Sequence, residues 1–405
     1  MDIGLDRLPL EPRLLARLRG ARVGLLAHPA SVDRALRHAG DVLASLGVHP
    51  AIFFGPEHGY GGEAQDMVGV AEARHPATGA PIVSLYGDSF ASLSPTADAL
   101  AACDVLVIDL ADVGSRYYTF VWTALLAARA AAKAGVHVVI LDRPNPLGAR
   151  LEAAEGNLPA TRFLSFVGLE PVPVRHGLTL GEIVALFARR DGIELGEALA
   201  LSILPARGHD EEEGAWAWDR PFVMPSPNMP TWETALVYPG GCLLEGTNLS
   251  DGRGLTRPFE ITGAPFVDGR ALADALGKLG LPGFVARPLT FQPTFHKHAG
   301  QVSGGVQIHV TDRRSFRPYA TYVALVALAR RAAGDAFRFR TECYEFIDDI
   351  PAFDLLTGGE EARLGMIAGV DPGELAREIA RTPSSWRDLR EEARDALLAA
   401  ACSPA

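Results

Sequence analysis

The segment Phe53-Phe54-Gly55-Pro56-Glu57-His58-Gly59-Tyr60-Gly61-Gly62 sets a carboxylate beside an imidazole on a glycine-rich loop that follows an apolar run. A glutamate so placed is suited to donating or accepting a proton, and the glycines let backbone approach a bound molecule closely. Ala51 to Phe54 predicts a short buried strand, ended by Gly55-Pro56. Open α/β sheets keep their chemistry at the carboxyl ends of strands, so Glu57 and His58 are the first candidate site residues. Taken alone, a Glu-His pair in a loop is more often solvated surface.

The same arrangement recurs, and the recurrence favours a site. Asp104 to Asp109 is a near-continuous apolar run leading into Asp109, Asp112, Ser115, Arg116, Tyr117 and Tyr118. Val136 to Leu141 leads into Asp142, Arg143 and Asn145, and Pro81 to Leu85 ends at Tyr86-Gly87-Asp88. Runs of this kind predict parallel strands covered on both faces. Helices are expected between them, over Ser31 to Leu46 and Phe120 to Ala134. Strand, polar loop and helix alternate at least four times from Ala21 onward, which makes the fold class α/β with polar groups lining one crevice.

Further along, Pro225-Ser226-Pro227-Asn228-Met229-Pro230-Thr231 predicts a stiff extended loop whose one bidentate side chain is Asn228. Tyr238 to Glu260 holds Glu245, Asn248, Ser250, Asp251, Arg253 and Glu260 among five glycines, a texture that fits a ligand loop and a domain linker equally. Beyond Pro265 the pattern predicts helices over Asp268 to Leu279, Tyr319 to Ala333 and Glu374 to Ala401, with antiparallel strands over Phe284 to Phe295 and Val302 to Thr311. Two domains are expected, residues 1–258 and a smaller α+β domain over 259–405.

At 405 residues the chain exceeds what one core holds, and 48% hydrophobic content supplies burial for two. A net charge of −11 disfavours nucleic acid and anionic membranes as partners and leaves small polar ones. The four cysteines, Cys103, Cys242, Cys343 and Cys402, are far apart, which predicts free buried thiols and suits a reducing compartment. No run of 18 apolar residues occurs, and the acidic start Met1-Asp2-Ile3-Gly4-Leu5-Asp6-Arg7 is unlike a leader, so a cytoplasmic location is expected. There is no G-x-G-x-x-G after a strand, no Walker loop, no H-E-x-x-H and no G-x-S-x-G. No cofactor and no metal are therefore expected, and His296-Lys297-His298 is read as a surface or substrate contact.

In order along the chain, GPEHGYGG, VLVIDLADVGSRYYTFVWT, VVILDRPNPLG, HGLTLGE, MPSPNMPTWETALVYPG, LLEGTNLSDGRGLTRPFE and FDLLTGG resemble the NamZ-type exo-β-N-acetylmuramidases. The resemblance implies a Rossmann-like N-terminal domain, a smaller C-terminal domain and an active site in the cleft between them. It also implies hydrolysis of the terminal, non-reducing N-acetylmuramic acid from peptidoglycan-derived glycans or muropeptides. Two other readings stay open: a hydrolase of another acidic or N-acetylated sugar, and a sugar-binding protein without turnover.

Glycosidic cleavage near neutral pH needs a carboxylic acid to protonate the leaving oxygen and a second group to assist water or steady the cationic centre. Glu57 is the choice for the acid, and Glu245, Asp112 and Glu260 are the candidates for the second group. Arg116 first, then Arg143 and Arg253, with His176, are the expected partners of a lactyl carboxylate. His58, Tyr117, Asn145, Asn228, Asn248 and Glu260 complete the expected substrate contacts. Asp109 and Asp142, at strand ends, are expected to orient Arg116 or Arg143. Tyr118 and Trp232 are candidate sugar platforms, while Trp122 is expected in the core.

Overall fold

A computed structural model describes residues 1–62, 64, 73–197 and 199–402. Among these, the strands β1 (Val23–Ala27), β2 (Pro50–Gly55), β3 (Ala73–Arg74), β4 (Pro81–Ser84), β5 (Val105–Asp109), β6 (His137–Leu141) and β7 (Leu201–Leu204) form one sheet. Its order is β3-β4-β2-β1-β5-β6-β7, and every pairing is parallel except β3 with β4. Numbered by themselves, the six parallel strands follow the 3-2-1-4-5-6 order of a Rossmann-like, doubly wound sheet, whose direction of winding reverses between β1 and β5.

Burial explains the strand sequences. Every residue of β1, β5 and β6 is buried, and alternate residues belong to two separate hydrophobic clusters. Leu26, Leu106, Ile108 and Val138 face the cluster that holds the helices Phe120–Ala134 and Leu180–Arg190. Leu25, Val105, Val107 and Val139 face the other, with Pro12–Arg19 and Ala39–Ser45. A strand covered on both faces has no polar alternation to show.

The helix expected over Ser31 to Leu46 is only Ala39–Ser45. Side chains before it bond to nearby backbone instead: Asp33 Oδ1 accepts from the amides of Ala35 and Arg37 at 2.9 and 2.8 Å, and Ser31 donates to the Asp109 carbonyl. Such bonds compete with helix formation.

The second sheet is antiparallel, with β8 (Ile261–Ala264) and β9 (Phe284–Phe291) on either side of β10 (Ser303–Val310). Helix Gly269–Lys278 packs on it, and Pro318–Ala333 packs against that helix. Helix Trp232–Gly241 lies against Pro318–Ala333 so closely that a Cβ on Gly240 would sit 2.1 Å from the Pro318 carbonyl oxygen. The helix expected over Glu374 to Ala401 divides into Pro372–Ile379 and Ser385–Ala400, with Pro383 in the break. One hydrophobic cluster runs through both sheets' surroundings, from Leu26 to Ala400, so the two halves share a core. Among the described residues, no helix is long and apolar enough to cross a membrane.

Candidate active site

The loop after β2 turns sharply: a Cβ on Gly55 would lie 2.3 Å from the Tyr60 amide nitrogen, and His58 has a φ of +71°. That turn sets Glu57, 7% exposed, into a cleft beside the point where the sheet reverses. Thr119, just before helix Phe120–Ala134, donates its hydroxyl to Glu57 Oε2 at 2.7 Å. His58 lines the same cleft, its Nδ1–H donating to the Ala64 carbonyl at 2.8 Å.

The opposite lining comes from later in the chain. Ser226 and Asn228, on the proline-rich loop, reach the cleft with Tyr117, Tyr118 and Tyr238. Tyr238 stands edge-on to Tyr118, with ring centres 6.0 Å apart, and to Phe259, at 4.8 Å. Glu245, Arg253, Tyr344 and Glu345 complete the lining. Cys242 to Gly246 is a buried 3-10 turn and Asp251 to Arg253 is buried too, so this stretch is part of the site rather than an exposed linker.

Charge here is held in a network. Arg253 donates to Glu245 Oε1 at 2.8 Å and to Asp251 Oδ2 at 3.0 Å, and its guanidinium lies 5.0 Å from the centre of the Phe259 ring. Tyr344 donates to Glu245 Oε2 at 2.6 Å, and Lys297 reaches Asp251 Oδ2 at 3.4 Å. Burial by itself would raise both acids. The Arg253 charge and the Tyr344 hydroxyl leave Glu245 below its ordinary range, and Lys297 with Arg253 holds Asp251 well below its own. Glu245 is thus an ionised anchor for Arg253, which is the one arginine or lysine among the described residues that line the cleft.

The N-terminal model of the exo-β-N-acetylmuramidase NamZ family matches residues 23–233, and its C-terminal model matches residues 236–394. The chain belongs to this family. The peptidoglycan β-N-acetylmuramidase NamZ of Bacillus subtilis (strain 168) is 36% identical over 393 residues, which is 97% of this chain and 90% of that protein. A DUF1343 family protein of Bacteroides fragilis NCTC 9343 superposes with a TM-score of 0.83 at 28% identity, covering 97% of each chain. A second from the same strain has a TM-score of 0.70 at 23% identity over 98% of each, a likeness of fold.

Against this NamZ-family cleft, several expected site residues lie elsewhere. Arg116, the first choice for the lactyl carboxylate, is fully buried. It donates to the carbonyls of Asn157 (2.8 Å), Val172 (3.1 Å) and Leu356 (2.8 Å), so it clamps two loops to the short helix Ala352–Thr357. Asn145 is likewise committed to backbone, donating to the Leu178 carbonyl and accepting from the Leu147 amide. Asn248 links to Ala336 and Arg338 at the surface. Glu260 accepts from Thr234 at 2.8 Å in a separate groove beside Trp232 and Arg313.

Asp112 and Arg143 line a different, more apolar pocket with Trp218 and Phe222. Arg143 is paired with Asp109 at 2.5 and 2.8 Å, as expected of a strand-end aspartate. Asp142 instead accepts from the Thr179 hydroxyl and the Gly181 amide at the start of helix Leu180–Arg190. His176 is 1% exposed, and burial lowers it to about 3, so it is neutral beside Asp112. Trp122 is in the core, as expected. Cys103, Cys242 and Cys402 are buried free thiols, and Cys343 is exposed.

The cleft also includes Thr119, Ser226, Tyr238, Phe259, Tyr344 and Glu345, none of them a candidate from the sequence. Thr119 lies within VLVIDLADVGSRYYTFVWT without a spacing that marks it, and Tyr344 and Glu345 sit in TECYEFIDD, which has neither periodicity nor a glycine-rich frame. The one local signal there is a strained turn.

Proposed function

We propose that this chain hydrolyses glycans from the non-reducing end, releasing terminal N-acetylmuramic acid from peptidoglycan fragments, with Glu57 as general acid and Arg253 as the partner of the lactyl carboxylate. The observation that carries these roles is a single cleft holding a buried glutamate and a buried guanidinium. Thr119 fixes one oxygen of Glu57 and so aims the carboxyl at a leaving oxygen. Arg253 is fixed before substrate arrives, by Glu245 and Asp251, and a fixed cation discriminates against a sugar that lacks the carboxylate. Tyr117, Tyr118 and Tyr238 supply flat apolar walls for a sugar ring. Unpaired thiols suit a reducing compartment, and a cytoplasmic role in wall turnover or recycling belongs to the same proposal.

The test compares release of a chromophore from a β-N-acetylmuramoside and from the glucosaminide analogue, with wild type and Glu57→Gln. The wild type is expected to prefer the muramoside. Glu57→Gln is expected to lose about 10²- to 10⁴-fold on an unactivated disaccharide, and less on the aryl substrate, whose leaving group needs little protonation. Preference for the glucosaminide would overturn the specificity. Near-normal turnover of the disaccharide by Glu57→Gln would remove Glu57 from its role.

A further inference from the structure

Tyr344 to Ile347 is a two-residue hairpin turn: the Tyr344 amide donates to the Ile347 carbonyl at 2.9 Å and the Ile347 amide to the Tyr344 carbonyl at 3.0 Å. Its central residues, Glu345 and Phe346, have φ of +46° and +68°. Turns of this hand demand positive φ at both central positions and are ordinarily made by Asn-Gly or Asp-Gly. A glutamate and a phenylalanine are both disfavoured there, because Cβ crowds the following carbonyl oxygen. Strain of this sort persists where the surroundings impose it and clusters at functional sites.

The side chains show what the strain holds in place. Glu345 is 4% exposed and lines the cleft with Glu57, and the Tyr86 hydroxyl donates to its Oε2 at 3.2 Å. Phe346 packs on the same Tyr86, with ring centres 5.9 Å apart. Tyr86 follows β4, whereas Thr119, which holds Glu57, follows β5, and β1 and β2 lie between those strands. Glu345 is thus held from the β4 side of the cleft, and the neighbouring strand β2 leads into the loop that carries Glu57. Glu245, the other acid in the lining, is bound to Arg253 and Tyr344.

We infer that Glu345 is the second catalytic carboxylate, the base that activates water; this rests on the hydrolysis proposed above. Water attacks the anomeric carbon while one of its protons passes to Glu345. The bond from that carbon to the leaving oxygen breaks with its electron pair on the oxygen, and Glu57 supplies that oxygen's proton. One water is consumed, both glutamates then return to their starting states by exchange with solvent, and the sugar leaves with inverted configuration. An inverting pair places the acid and the base on opposite faces of the sugar ring, with the water between the base and the anomeric carbon.

Two variants separate catalysis from structure. Glu345→Gln is expected to lower turnover of an unactivated muramyl disaccharide by about 10²- to 10⁴-fold while N-acetylmuramic acid still binds in calorimetry. Glu345→Asn combined with Phe346→Gly restores the preferred turn pair, so it is expected to raise the melting temperature and to be equally inactive. Proton NMR of the first product formed by the wild type is expected to show the α-anomer. Turnover within a few-fold of wild type in either variant would overturn the inference, and a β-anomer would overturn the role as base. If Glu57→Gln is dead while Glu345→Gln is active, the hydrolytic reading stands and this inference alone falls.

Discussion

Asp112→Asn distinguishes a buried structural acid from a catalytic one by its effect on stability. Asp112 lies beyond β5, and burial raises its carboxyl to about 7 from an ordinary 3.8; the amides of Gly114 and Val113 oppose the rise, and Asp142 adds to it. His176 gives no countercharge. Its Nδ1 accepts from the Leu178 amide and Nε2 faces Asp112 Oδ2 at 3.6 Å, with the ring neutral near pH 7. Because the folded state holds a proton that the unfolded chain has released, stability is lost as pH rises from about 4 through 7. Roughly three pH units at about 1.4 kcal/mol each amount to a cost on the order of 4 kcal/mol at pH 8. An asparagine keeps an acceptor for the Gly114 amide and carries no charge to bury. In urea melts, the variant is therefore expected to gain about 2–4 kcal/mol relative to wild type between pH 5 and pH 8, with turnover within a few-fold. A stability difference independent of pH would refute the argument, and loss of turnover in a folded variant would return Asp112 to the candidate catalytic groups.

Two other substitutions test the division between cleft and core. Arg253→Lys keeps the charge but loses the two-pronged grip on Glu245 and Asp251, so kcat/KM on the muramoside is expected to fall about 10- to 100-fold, with little change on the glucosaminide. Parallel initial-rate measurements read this, and equal losses on both substrates would make Arg253 structural. Arg116→Met leaves three carbonyls without their donor and is expected to cost about 3–5 kcal/mol in urea melts, with both substrates affected alike. A selective loss on the muramoside would restore Arg116 as its partner.

The scaffold was legible because the strands are short, fully buried apolar runs that end in glycine, proline or acid, and few other elements read that way. Phe120–Ala134 emerged with the expected bounds, and β2, β5 and β6 emerged within a residue or two of theirs. Glu57 was legible for the same reason: a strand end at the switch of an α/β sheet points to a crevice whatever the helices do. The miss over residues 31–38 came where Ser31 and Asp33 bond to backbone, a competition that apolar spacing does not reveal.

Polar residues on strand-end loops proved harder to sort, and the reason is physical. Loops buried under a second domain carry amides and carbonyls that need partners, and the partner is a polar side chain nearby in space. Arg116, Asn145 and His176 serve that end, and their sequence neighbourhoods resemble those of Tyr117 and Asn228, which face the cleft. The choice is made by which segment lies opposite, a contact such as Arg116 to Leu356, 240 residues apart. Glu345 is the converse case. Its turn departs from the residue types that positive φ favours, and it gains meaning once Tyr86, far earlier in the chain, is seen to hold both of its central side chains. A cleft residue whose turn opposes its own local conformation is better evidence of function than a polar residue that merely follows a strand.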